Sequence, residues 1–279
     1  MNTNNPTYGI QAACIQLCSS TDVEENISQC ENLIREAAKL GARLICTPEM
    51  TSLVEKDKKK LLEKTAYEEE EKSLLHFIDL AAELKVSLII GSLPIKISPT
   101  HCANRCYAID SAGSIQARYD KIHLFDAAPS GREAHKESDS YISGNQAMVV
   151  TLEGIKIGLS ICYDLRFPKL YNDLAKAGAE LLVIPAAFTQ STGKAHWHTL
   201  VRARAIENGC FVLAPAQSGS HADGRRTYGH SLIVSPWGEV LADAGNNTGA
   251  IKSNIDLDLV KSARGRISNL NHQKEYLTP

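Results

Sequence analysis

Apolar residues run along this chain in two alternating rhythms. Continuous runs such as "YGIQAACIQL", "ARLICTPEM" and "VSLIIGSLPI" read as strands hidden on both faces, because a strand covered on one side only would alternate apolar with polar. Between the first two, Ile27, Cys30, Leu33, Ile34 and Ala37 recur at helical spacing, with Thr21 or Asp22 to cap the helix and Gly41 to end it. A second helical stretch is predicted over 58–84, its charged residues forming a solvated face. The middle third reads as mostly β: "CANRCYAID" and "SIQARYDKI" flank the turn "SAGS", and "AMVVTL" and "IKIGLSIC" flank "EG". Helical spacing returns over 166–177 and 195–209, with the strand "LLVIPAA" between them and "FVLAPAQ" after. "HSLIVSP", "EVLADAG" and "AIKSNIDL" close the series, Trp237-Gly238 marks a tight turn, and the polar tail after about 262 is expected to be extended.

Many strands threaded by few helices must hide one sheet face on another sheet and the other face under helices. The predicted fold is therefore α/β, a four-layer α-β-β-α sandwich. No Gly/Ser- or Pro-rich linker divides it, so one domain is expected over 1–279, with its core at about 8–262. The longest irregular piece, "HLFDAAPSGREAHKESDSYISGN", exceeds what a connector needs, and loops of that size are usually functional or disordered.

Composition narrows the partners. With 279 residues, 43% hydrophobic and 22% charged, and a formal net charge of −2, the chain is an ordinary globule without the basic field that nucleic acid requires. No apolar stretch approaches the roughly 20 residues of a membrane span, and "MNTNNPTYG" lacks the charged-then-apolar order of a signal peptide. A cytoplasmic location is expected, and there the eight cysteines stay reduced. The pairs Cys14/Cys18 and Cys102/Cys106 have C-x3-C spacing in strand-like surroundings, which argues against zinc.

Three polar residues share a position. Glu49 follows "LICTP", Lys121 follows "IQARYD" and Cys162 follows "KIGLSI", each where an apolar strand ends. Singly, each has an ordinary reading as a surface charge or a core-filling thiol. Strand ends, however, are where α/β sheets open into ligand crevices, so the three can converge. Together they make a chemical device: a thiol is nucleophilic as thiolate, Glu49 can take its proton, and Lys121 is a nearby cation. The Lys121 ammonium and the Tyr163 backbone N–H can then stabilise the oxyanion of an attacked amide.

"TPEM" around Glu49, "YDKIHLF" around Lys121 and "GLSICYDLRFP" around Cys162 resemble, in order and spacing, the Glu-Lys-Cys motifs of the nitrilase superfamily of carbon-nitrogen hydrolases. The resemblance runs from the first strand to about residue 260. It implies the α-β-β-α fold, a homodimer formed through helices beside the site, a small-molecule amide substrate and no metal or organic cofactor. It also implies a second glutamate that holds the lysine, matched best by Glu137 in "KESD" and less well by Glu133. "CYDLRFP", "PAAFTQSTGKAHW", "RARAIENGCFVLAPAQSG" and "GRRTYGHSLIVSPWGEVLADAG" are similar to the branch of deaminated glutathione amidases, which release α-ketoglutarate and cysteinylglycine. ω-Amidase, nitrilase and N-carbamoyl amide hydrolase activities use the same residues, and a non-catalytic interaction protein on this scaffold is the remaining alternative.

For an anionic substrate, Arg166 can grip a carboxylate through two parallel hydrogen bonds, with Phe188 and Thr192 completing the pocket. A structural ion pair between Asp164 and Arg166 is the competing reading. His198 stands where many superfamily members have glutamate. With His196 it makes an i, i+2 pair that a helix does not bring to one face, which argues against a metal there. His123, two past Lys121, reads as a supporting residue rather than a general base.

Overall fold

The computed structural model describes residues 9–127 and 135–277. Two six-stranded sheets form its centre. The first runs in the order Gly249–Asp256, Gly9–Gln16, Leu44–Cys46, Ser87–Ser98, His101–Ile109, Ile115–Asp120. The second runs Val240–Asp243, Leu232–Val234, Phe211–Ala214, Leu181–Val183, Ile155–Leu159, Met148–Leu152. In each, parallel strands occupy the middle and antiparallel strands the edges.

The two-residue period explains why the strands read as unbroken apolar runs. Ala12, Cys14, Leu44, Cys46 and Ile89 face the second sheet, while Ala13, Ile15, Ile45, Leu88 and Ile90 point the other way. That outer face lies under the helices Val23–Lys39 and Lys72–Leu84 through Cys30, Ile34, Phe77 and Leu80. The second sheet is covered by Pro168–Lys176 and Gln190–Asn208 through Leu170, Leu174, Trp197 and Val201. The order is helix, sheet, sheet, helix, as predicted. Among the described residues no helix is long and apolar enough to cross a membrane. All eight cysteines are free, seven of them buried.

Local expectations are corrected in four places. The stretch 58–84 is not one helix but Lys58–Lys64, a 3-10 turn at Glu68–Glu70, and Lys72–Leu84. The break turns Glu68 inward, where it binds Arg105 and Arg118 at 2.7 Å each and Tyr107 at 2.9 Å, so this charge is not simply solvated. The segment over 166–177 divides into a 3-10 turn, Cys162–Arg166, and a helix opened by Pro168. A short hairpin, Ser218–Ser220 with Arg226–Tyr228, went unread. The tail after 262 is not extended at its start. Asp256 caps a helix, Leu257–Arg266, that buries Val260 and Ala263, and Arg264 donates to the carbonyls of Asn208 and Ala179.

Candidate active site

Glu49 sits on a turn that two strands and Gln217 hold. After Leu44–Cys46, Thr47 N–H donates to Ile89 O at 2.9 Å, and Met50 N–H donates to Ser92 Oγ at 2.9 Å. Gln217, buried, donates to the carbonyls of Glu49 and Met50 at 3.0 and 3.1 Å. Met50 adopts φ +55°, a left-handed backbone that costs a non-glycine residue about 1–2 kcal/mol.

Cys162 is placed the same way. The strand Ile155–Leu159 ends in a sharp turn, Cys162 has φ +49°, and its N–H donates to Pro185 O at 2.9 Å. Behind it Asp164, fully buried, accepts from Ile161 N–H at 2.8 Å, Tyr119 OH at 2.7 Å and His123 N–H at 3.1 Å, with His123 Nδ1 at 2.6 Å. The His123 ring stacks on Phe167 with centroids 3.5 Å apart. His123 therefore supports the turn, as expected. Strain stored in such a turn persists only where surrounding contacts over-determine it, and these do so.

Lys121 leaves the strand Ile115–Asp120 with its N–H on Asn104 O at 3.0 Å. Its ammonium lies 2.8 Å from Glu49 Oε1 and 2.9 Å from Glu137 Oε2. Asn104 Nδ2 joins the same carboxylates, at 3.0 Å from Glu49 Oε1 and from Glu137 Oε1, and Phe125 N–H donates to Glu137 Oε2 at 2.7 Å. Glu133 lies outside the described residues. The second oxygen of Glu49 accepts from Ala187 N–H at 2.8 Å, and the Cys162 thiol hydrogen-bonds the Glu49 carboxylate.

The electrostatics fix the protonation states. Burial would raise the Glu49 pKa, but the Lys121 ammonium and the bonds from Cys162 and Ala187 outweigh it and hold the carboxyl below its ordinary value. Burial would likewise discharge Lys121, yet Glu137 and Glu49 push its pKa well up. Cys162 goes the other way: burial, then the Glu49 charge, raise its thiol well above the usual value despite Lys121. The resting arrangement is a carboxylate, an ammonium and a neutral thiol in contact. It can move the thiol proton onto Glu49 as sulfur attacks, with no free thiolate beforehand.

These side chains open onto a cleft of about 690 Å³, and the predicted binding residues Tyr163, Arg166, Phe188 and Thr192 line the same cleft. The guanidinium of Arg166 lies over the Phe188 ring at 5.1 Å and 3.4 Å from His196 Nδ1. Asp164 is taken up behind Cys162, and among the described residues Arg166 has no ion pair, so the Asp164–Arg166 pairing does not form. Thr192 Oγ1 meets Thr189 Oγ1 at 2.7 Å. Tyr163 is second in its 3-10 turn, where a backbone N–H has no intrahelical carbonyl to meet.

Sequence reasoning missed Asn104, Gln217 and the cationic wall formed by Lys56, Lys136, Arg225 and Arg226. Asn104 was legible as a polar residue inside the apolar strand "CANRCYAID", and the two arginines lie in the quoted "GRRTYG". His196 and His198 diverge, one beside Arg166 and the other 3.1 Å from Asp243 Oδ2.

Comparison with known proteins identifies the family and agrees with the fold. The carbon-nitrogen hydrolase family model matches residues 11–265. The chain is 38% identical over 266 residues to the deaminated glutathione amidase of Synechocystis sp., covering 94% of this chain and 97% of that one. It is 39% identical to the Bos taurus protein of the same name, covering 95% and 82%. The solved NitFhit protein of Caenorhabditis elegans superposes with a TM-score of 0.89 at 35% identity, covering 95% of this chain and 65% of that longer one. On motif order, fold and matched length together, the chain belongs to the carbon-nitrogen hydrolase family.

Proposed function

We propose that this chain hydrolyses the amide between the α-ketoglutaryl group and the cysteine of deaminated glutathione, releasing α-ketoglutarate and cysteinylglycine, through a thioester on Cys162. The observation that carries the chemistry is the buried contact of Glu49, Lys121 and Glu137 beside a cysteine held at φ +49°. Glu49 takes the thiol proton, sulfur attacks the amide carbon, and Lys121 with the Tyr163 N–H meets the oxyanion. Losing one such donor typically costs on the order of 3 kcal/mol in the barrier. Glu49 then protonates the leaving nitrogen and later activates the water that cleaves the thioester. Glu137 keeps Lys121 charged and aimed.

The substrate class follows from charge. Deaminated glutathione carries a carboxylate at each end and the scissile amide between them. Arg166, without a carboxylate partner among the described residues, suits the α-keto acid, with Phe188 and Thr192 beside it. Lys56 and Arg226 on the same cleft suit the glycine carboxylate, whereas Arg225 is held by Asp223 at 2.7 Å. Relatives named deaminated glutathione amidase, at 36–39% identity, favour this over a short ω-amide.

Incubation with deaminated glutathione should give cysteinylglycine and, on rapid quenching, an acyl mass on the Cys162 peptide. Glu49→Gln should give no adduct. Full turnover by Cys162→Ala would overturn the chemistry. Ammonia release from short ω-amides with no peptide release from deaminated glutathione would overturn the substrate alone.

A further inference from the structure

Away from the cleft's catalytic residues, His198, His230 and Asp243 offer one donor atom each, all within 4.8 Å of one another. They come from separate elements: the helix Gln190–Asn208, the segment between Arg226–Tyr228 and Leu232–Val234, and the end of Val240–Asp243. We propose that these three side chains form a binding site for a divalent transition metal, with zinc as its natural occupant.

Both histidines already stand near Asp243 at the spacing an ion sets between its ligands. His198 Nε2 lies 3.1 Å from Asp243 Oδ2, and His230 Nδ1 lies 3.0 and 3.1 Å from the two oxygens. In a tetrahedral site with bonds of about 2.0–2.1 Å, ligand atoms stand roughly 3.3–3.4 Å apart. Two imidazoles and one carboxylate are a borderline donor set that suits zinc, cobalt or nickel. Calcium and magnesium prefer all-oxygen sites. The cluster is partly open to solvent, so an ion can reach it and water can complete its coordination.

The ligands are also held in advance. Among the described residues five that are not glycine have left-handed backbones: Met50, Lys85, Glu153, Cys162 and His230. Lys85 ends a helix, Glu153 turns the hairpin before Ile155–Leu159, and Met50 and Cys162 shape the active site. His230, at φ +54°, belongs to none of these. Its N–H donates to Gly245 O at 2.7 Å and its carbonyl accepts Trp197 Nε1–H at 2.8 Å, which pins the residue so that its ring meets Asp243. Tyr228 stacks on the His230 ring at 4.5 Å and stands edge-on to His198 at 6.0 Å. Gly245 N–H donates to Asp243 Oδ1 at 2.8 Å.

Neither remaining ring nitrogen finds an acceptor among the described residues. Such outer partners are typically worth about 10–100-fold in affinity, so binding is expected to be weaker by that factor than at a site that has them. The site also touches the cleft wall. Trp197 packs on Phe188 with centroids 5.1 Å apart, and Tyr228 N–H donates to Phe188 O at 2.9 Å, so a bound ion braces that wall.

The test uses the full chain, stripped with chelator and titrated with cobalt(II). One equivalent should bind with visible d–d bands and no sulfur-to-cobalt charge transfer, and zinc should displace it. Cys162→Ala should leave the spectrum unchanged. His198→Gln should weaken binding by at least about 10-fold, and His230→Gln gives an independent removal should either variant fold poorly. Absence of saturable binding, binding unaffected by both histidine changes, or charge-transfer bands that vanish in Cys162→Ala would each overturn the proposal.

Discussion

At the scale of single residues the site is governed by one buried excess of negative charge. Glu49 and Glu137 flank one ammonium, so a preformed thiolate at Cys162 would face two carboxylates with a single cation between them. Burial first, and the Glu49 charge after it, keep the thiol protonated, so a base beside it matters more than a cation near it. The same logic gives Asp164 its weight. Fully buried, it gathers donors from Ile161, Tyr119 and His123 and thereby holds the turn that presents the sulfur. In Asp164→Asn the amide nitrogen must face at least one of those donors, leaving a buried group unsatisfied. Losing a buried partner of this kind costs roughly 1–3 kcal/mol, so urea unfolding should show a loss of about that size. Because the turn sets the attack geometry, kcat should fall more than KM rises. An unchanged kcat with lowered stability would reduce Asp164 to a core residue.

At the scale of elements, the site depends on how closely two chain segments pass across Gly91, at the irregularity in the strand Ser87–Ser98. A Cβ there would stand 2.0 Å from Thr47 O and 2.5 Å from Pro185 Cβ and Pro48 O. Thr47 and Pro48 lead into Glu49, and Pro185 O accepts the Cys162 N–H. Gly91→Ala must therefore push apart the segments that carry Glu49 and Cys162, the proposed base and nucleophile. Overpacking typically costs about 1–3 kcal/mol, and a shift near 1 Å at reacting groups can cost about 100-fold in rate. Thermal unfolding and steady-state kinetics on this variant should show both effects.

What the sequence showed of these elements follows from the same physics. Strands buried on both faces announce themselves as apolar runs, and Glu49 and Cys162 were visible because each follows such a run, while Lys121 follows the alternating edge strand Ile115–Asp120. The helix Leu257–Arg266 was not visible, since it buries only Val260 and Ala263 and is fixed by Arg264 reaching carbonyls more than fifty residues away in sequence. The break in 58–84 was hidden for a similar reason: Glu68 looks like any surface charge until the two arginines of neighbouring strands are beside it. Asn104 and Gln217 act by burial and by what they touch, which no spacing rule reports.

At the scale of the whole molecule, the thiols that fill the core give it a particular weakness in alkali. Cys14, Cys30, Cys46, Cys106 and Cys210 are fully buried, and burial is the main cause that raises each of their pKa values above 9.0. Cys102 and Cys162 are raised as well, and burial pushes up Tyr107, Tyr119, Tyr141 and Tyr171. A group whose folded pKa exceeds its unfolded one contributes stability that is intact below the unfolded value and is lost as pH climbs toward the folded one. For the thiols that loss begins near pH 9.0, with the tyrosines following near pH 10. Each fully titrating group contributes about 1.4 kcal/mol per pH unit. Several together exhaust a typical stability of about 5–15 kcal/mol within one or two units. Glu49 shifts the opposite way, so its share is present above pH 4.5 and is lost only as pH falls through its lowered value. Circular dichroism under reducing conditions should therefore show a broad stable range at neutral pH and a steep cooperative unfolding between about pH 9 and 11. A fold that persists unchanged well past that range would mean that the unfolded chain also keeps its thiols protonated, and the buried cysteines would then not be the cause of its alkaline limit.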